Sequence, residues 1–249
     1  MPDKTVHAIV LRRRDSGESD RKLTLLTEEC GKIDVLAKGA RKSASRLSGI
    51  SEPLSTAVLN LAEGKRNSFV TQAQPLTSFR GLRTDFERLS CGLALVELYA
   101  AVLPIDEPFP EAYELLKRSL RHLESHTKPV VALVWAEIQL LSISGFLPQF
   151  ERCVVTDHAI VEARPFLSPR AGGYVSETAA VPYTDRFRTR AEVLYGLARL
   201  PEFDDPPNNM KFVDEALADL LPFWQNIAEA QLPANETTVR EFRHREAGG

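Results

Sequence analysis

Along the first 80 residues, apolar and polar positions alternate in short runs. "VHAIVLRRR" (Val6 to Arg14) and "RKLTLLT" (Arg21 to Thr27) flank the polar turn "DSGESD". "EECG" then turns the chain into "KIDVLAK" (Lys32 to Lys38), where Ile33, Val35 and Ala37 share one face. "STAVLNLAEG" and "NSFVTQAQPL" follow, joined at Gly64-Lys65-Arg66-Asn67 as in a hairpin. Some of these runs are apolar on both faces, as at Leu23, Leu25 and Leu26. Five short strands without an intervening helical period predict a small Greek-key barrel of the OB type. A small sandwich or an SH3-like barrel fits nearly the same string. Phe69 and Phe79, the aromatics of this region, are expected in its core.

From about residue 81 the spacing becomes three and four. Phe86, Leu89, Leu93, Val96 and Ala100 form a helical stripe, closed by Pro104 and Pro108. A second helix is predicted from Pro110 to His122. The third is the apolar run "VVALVWAEIQLLSISGFLP" (Val130 to Pro148), stopped by Gly145 and Pro148. Glu137 and Gln139 near its middle argue against a membrane span, since a central carboxylate costs roughly 2–3 kcal/mol on insertion. It reads as the core helix of a bundle. Residues 149–182 break the helical spacing and predict an insert of short strands and turns. Helix resumes from about Tyr183 to Leu200 and again from Met210 to Gln231, with a kink or break at Pro222. The last segment, "NETTVREFRHREAGG", is expected to fray. The predicted class is therefore α+β: an OB-type barrel at 1–80, then a helical domain at 81–249 carrying an irregular insert at about 149–182.

Charge changes this picture more than composition does. The 249 residues are 43% hydrophobic, enough for a sizeable core, and carry a net charge of −3. Residues 1–80 hold 14 Lys and Arg against 9 Asp and Glu, while the remainder holds 17 against 25. A basic head on an acidic body points to a polyanionic partner. The three cysteines, Cys30, Cys91 and Cys153, lie far apart, which suits a reducing cytoplasm better than a disulfide framework. No secretory signal is expected at the N-terminus.

No catalytic constellation is legible. Gly31-Lys32 lacks the earlier glycine and the following Ser or Thr of a phosphate loop. The sequence contains neither a G-x-S-x-G elbow nor an H-E-x-x-H pair. The chain is accordingly expected not to be an enzyme and to need no cofactor.

The basic residues gather at strand ends and in loops. Arg12, Arg14, Arg21, Lys38, Arg41, Lys42, Arg46 and Lys65 are the candidate phosphate contacts. Ser43, Ser45, Ser48 and Gly49 make the loop around Arg41, Lys42 and Arg46 adaptable. Such a surface grips a sugar–phosphate chain with little regard for base sequence.

The stretch "GESDRKLTLLTEECGKIDVLAKGARKSASRLSGISEP" resembles the opening of the RecO family of bacterial recombination mediators. The E-S-D, L-L-T, G-K, A-K-G-A-R-K, S-R-L and E-P elements occur in order from Glu18 to Pro53, and "GFLP" adds a later match. The resemblance implies an N-terminal OB barrel and a helical C-terminal domain. It implies a cytoplasmic, nucleoid-associated protein that binds single- and double-stranded DNA and anneals complementary strands. With RecR, it would help load recombinase onto DNA coated by single-strand-binding protein, whose C-terminal tail it would dock. Two alternatives remain: an interaction adaptor on the same fold with little DNA binding, and an OB-fold RNA binder.

Many members of that family carry two C-x-x-C pairs for zinc. The corresponding positions here are Cys153, Thr156, Ser176 and Ala179, flanking Gly172-Gly173. One cysteine in four does not supply the donors zinc requires. The insert is expected to hold its shape by packing of Phe166, Tyr174 and Val175, without metal.

Overall fold

The computed structural model describes residues 4–42, 45–64, 67–77 and 79–246. The alternating segments form β1 (Lys4–Ser16), β2 (Asp20–Thr27) and β3 (Gly31–Ala37), then β4 (Thr56–Glu63) and β5 (Ser68–Pro75) after a short helix α1 (Leu47–Ile50). They close into a barrel in the order β1-β2-β3-β5-β4. β3 and β5 pair in parallel; the other neighbours are antiparallel. This is the OB-type barrel expected from the sequence. Its interior is filled by alternate residues, among them Val6, Ala8, Val10, Leu23, Leu25, Ile33, Val35, Leu59 and Val70.

One residue disturbs the alternation. Val10 pairs with Leu25 but Arg12 pairs with Thr24, so Leu11 is a β-bulge. Before the bulge, even-numbered residues of β1 point inward. After it, Arg13 lies opposite the inward Leu23, and Arg12 and Arg14 point outward.

α2 (Arg80–Thr84), α3 (Phe86–Val102) and α4 (Pro110–Ser125) follow the barrel. Asp85 caps α3 by accepting the main-chain N–H of Arg88. α3 packs on β1 and β2, which accounts for the full burial of Ile9 and Leu26 on the barrel's outer side. Contacts divide the chain into two compact units, residues 1–124 and 125–249, so these helices group with the barrel.

The second unit is built on α5 (Pro129–Ile143), almost wholly buried as its apolar sequence predicts. The insert folds into three short strands, β6 (Phe166–Ser168), β7 (Gly173–Val175) and β8 (Phe187–Arg188), in the order β7-β6-β8. Helices α6 (Ala191–Arg199), α7 (Val213–Ala228) and α8 (Pro233–Glu246) complete it. Three expectations are corrected. The helix placed at 183–200 starts only at Ala191, because Phe187 and Arg188 pair with Leu167 and Phe166. α7 is continuous through Pro222, so of the expected kink or break the break does not occur. The tail expected to fray forms α8, which packs on α7 and buries Val239 and Phe242. Among the described residues no helix is long and apolar enough to cross a membrane.

Candidate nucleic-acid interface

Cross-strand pairing sorts the basic residues of the barrel into two groups. On the outer wall, Arg14 pairs with Lys22, Lys22 with Leu36 and Leu36 with Phe69, a single row across β1, β2, β3 and β5. The next row carries Arg12, Thr24 and Asp34. Arg12, Arg14, Lys22 and Lys32 line one cavity of about 170 Å³ with Thr24 and Asp34, closed by Ala100 and Ile105. Four cations face one carboxylate there.

Two of these cations were not among the sequence candidates. Lys22 donates to Asp34 at 2.9 Å and Thr24 donates to the same carboxylate at 2.7 Å. These donors, against the opposing effect of burial, hold the Asp34 carboxyl below its ordinary range. Lys32 is 7% exposed, and its ammonium donates to the carbonyl of Ala100 at 2.8 Å. Burial lowers its pKa. The β3 turn is held against the chain after α3: Asp106 N–H donates to Lys32 O at 2.8 Å. Gly31, at φ +69°, admits that approach, since a Cβ there would lie 1.7 Å from Glu107 O. The sequence signal for Lys22 and Lys32 was strand parity, since both alternate with the inward Leu23 and Ile33; only the outward turn of Arg12 and Arg14 depends on the bulge at Leu11, which the sequence does not announce.

Lys38 extends the same wall, its Nζ 4.2 Å from the centroid of Phe69. Phe79 is buried as expected, but Phe69 is half-buried on the outer wall and not in the core. Its partner Leu36 points outward, so register puts Phe69 outward too.

The second group sits at the barrel end. Arg21, with a side chain only 11% exposed, bonds Glu52 at 3.1 Å and also donates to Ser48 O and Ser51 Oγ. Arg13 reaches the same Glu52 at 3.0 Å. Arg41 pairs with Asp15 at 3.4 Å and donates to Gly17 O at 3.0 Å. Three arginines thus share two carboxylates, and Arg21 is a clamp between β2 and the α1 turn. Lys42 and Arg46 are exposed on the loop after β3. Lys65 lies outside the described residues. The structure therefore brings Arg12, Arg14 and Lys38 together with Lys22, Lys32 and Phe69, and separates them from Arg21 and Arg41.

In the insert, the Cys153 sulfur accepts the Ser176 main-chain N–H at 3.2 Å and lies 3.6 Å from Ser176 Oγ. Burial raises the thiol pKa, but donation from Ser176 and Thr156 outweighs it and brings the value down to about 7. One sulfur, two neutral hydroxyls and the Ala179 methyl do not fit a zinc site. Hydrogen bonds join these positions instead. Gly173 contributes by close approach: Tyr174 N–H donates to Gln149 O at 2.8 Å, and a Cβ on Gly173 would sit 2.2 Å from that oxygen.

Comparison with known proteins divides the chain at the end of the barrel, before residue 124 where the two compact units part. Residues 1–79 match the family model "Recombination protein O N terminal" and residues 83–240 match "Recombination protein O C terminal". A protein of Bacillus pumilus called DNA repair protein RecO is 31% identical over 217 residues, covering 84% of each chain. Its namesake in Nocardioides is 34% identical over 70% of this chain and 73% of its own. That of Roseiflexus is 37% identical over 67% of this chain, a match spanning 58% of the Roseiflexus protein. With a closed five-stranded barrel, a helical remainder and both family models in register, the chain belongs to the RecO family.

Proposed function

We propose that this chain is a non-enzymatic DNA repair and recombination mediator whose outer barrel wall holds the DNA backbone. The observation that carries the reading is the convergence of Arg12, Arg14, Lys22 and Lys32 on one cavity, in line with Lys38 and Phe69. Lys22 is paired with Asp34 and Lys32 is buried against the Ala100 carbonyl, so the exposed Arg12 and Arg14 carry the uncompensated positive surface. Phosphates neutralise it by releasing counterions, without base readout. The half-buried ring of Phe69, with Lys38 over it, offers its remaining exposed surface to an unpaired base, which a backbone-only surface lacks. In this reading the protein binds single- and double-stranded DNA and anneals complementary strands. It works with RecR and the tail of single-strand-binding protein, as the family likeness suggests.

The test is DNA affinity across a salt series, followed by annealing with and without single-strand-binding protein. The Arg12→Ala/Arg14→Ala chain is expected to bind more weakly on every sequence. Its log–log salt slope on single strands should flatten by about 0.7 per lost contact. An unchanged slope removes the outer wall from the path of the DNA. RecR binding that persists in a chain with no DNA affinity supports an adaptor role instead.

A further inference from the structure

The β3–β5 seam of the closed barrel is only partly paired. β5 pairs along its length with β4, but among the described residues it meets β3 only at Ser68 and Phe69. Leu76 N–H donates to Thr56 O at 2.9 Å, which marks Thr56 and Leu76 as a hydrogen-bonded pair. By antiparallel alternation, Leu59 opposite Ala73 is a non-hydrogen-bonded pair. The main-chain N–H and C=O of Ala73 therefore point away from β4, toward the seam. Pro75, next in the same phase, offers only its carbonyl.

A groove of about 630 Å³ lies along this edge. Ile50 of α1, Ala73, Pro75 and Leu76 supply an apolar lining, and Arg46 and Arg83 stand at it. Leu76 is 48% exposed, large for an aliphatic side chain that serves no core. The Arg83 guanidinium is fixed by Pro53 O at 2.7 Å and Ser55 Oγ at 3.1 Å, and Arg46 is exposed. Among the described residues no carboxylate and no aromatic ring lines the groove.

We propose that this seam docks an extended, acidic segment of a partner protein, which adds to β5 as a further strand. The open edge at Ala73 supplies main-chain hydrogen bonds, the apolar floor takes alternate side chains, and the two arginines take the carboxylates. A peptide fits these features better than a nucleic acid strand does. Bases have no ring here to stack on, and the outward amide and carbonyl of Ala73 match a peptide backbone. This site is separate from the outer wall, so its failure and that of the DNA reading are distinguishable.

The experiment is selection of octapeptides from a displayed random library on the full chain, followed by anisotropy with the enriched peptide made synthetically. The enriched sequences should alternate apolar residues with Asp or Glu. Affinity should fall at least tenfold in Leu76→Asp, in Ala73→Pro, and when the peptide's acids become amides. Hydrogen exchange of the Ala73 amide should slow on binding. Leu76 is half-exposed and the Ala73 amide makes no bond to β4, so the two variants test the groove by independent routes, and DNA binding should survive in both. An enriched set without acids, affinity indifferent to both substitutions, or no added protection at Ala73 overturns the proposal. Displacement of the peptide by a dT15 oligonucleotide overturns it too and gives the groove to nucleic acid.

Discussion

At the scale of single residues, environment separates side chains that look alike in sequence. Arg12, Arg14 and Arg21 are all basic residues near strand ends, yet Arg21 is enclosed by Glu52, Ser48 and Ser51. Arg21→Ala is expected to lower stability by about 2 kcal/mol, as lost charge-assisted hydrogen bonds do. Its DNA salt slope should stay as in the parent chain, which denaturant melts and anisotropy together would reveal. Phe69→Ala should weaken single-strand binding by about 1–3 kcal/mol per stacked base and leave duplex binding nearly unchanged. Equal losses on both substrates would mean that the ring only positions Lys38. Glu137 is a different case. Burial raises its pKa to about 8, against a smaller lowering by the Trp224 indole N–H donated at 2.9 Å. Below about pH 4.5 the group is protonated in both folded and unfolded chains. As pH rises from there to about 8, the unfolded chain ionises while the folded one keeps its proton, so stability falls across that window. Glu137→Gln should flatten this decline and melt higher than the parent at pH 8. Asp219, raised to about 7 chiefly by burial, contributes a decline of the same sign, so Asp219→Asn should remove what remains. An unaltered pH profile in both variants would show that neither carboxyl is protonated in the fold.

At the scale of elements, small irregularities decide which charges share a surface. The bulge at Leu11 turns Arg12 and Arg14 outward; a regular β1 would send that parity into the barrel. The insert shows how an element with one cysteine among Cys153, Thr156, Ser176 and Ala179 keeps its form. Cys153 and Ser176 are joined by hydrogen bonds, Tyr174 donates to Glu162 at 2.7 Å, and β7 pairs with β6. Protein purified without an affinity tag is therefore expected to contain no stoichiometric zinc and to melt unchanged in the presence of a chelator. Gly173→Ala should cost about 2 kcal/mol, because the new methyl meets the Gln149 carbonyl and the backbone must shift. A neutral effect on melting would show that the segment carrying Gln149 yields freely. α8 makes the complementary point: a polar sequence reads as a loose end until Val239 and Phe242 find the surface of α7.

At the scale of the whole molecule, the split between a basic first 80 residues and an acidic remainder is a property of composition, and it was legible without coordinates. So were the five strands and the buried α5, because each follows from local periodicity. The candidate interface was legible only in part. Arg12, Arg14 and Lys38 stood out as charges near strand ends, but Lys22 and Lys32 joined them through pairing register, and Arg21 and Arg41 left them through ion pairs with Glu52 and Asp15. The sequence alone determined which segments must be buried and which charges had to be accommodated, since burial patterns and charge are written residue by residue. The tertiary structure decided which of those charges share a surface and which are spent on holding it, because register, a one-residue bulge and the position of carboxylates distant in sequence arise only when the barrel closes.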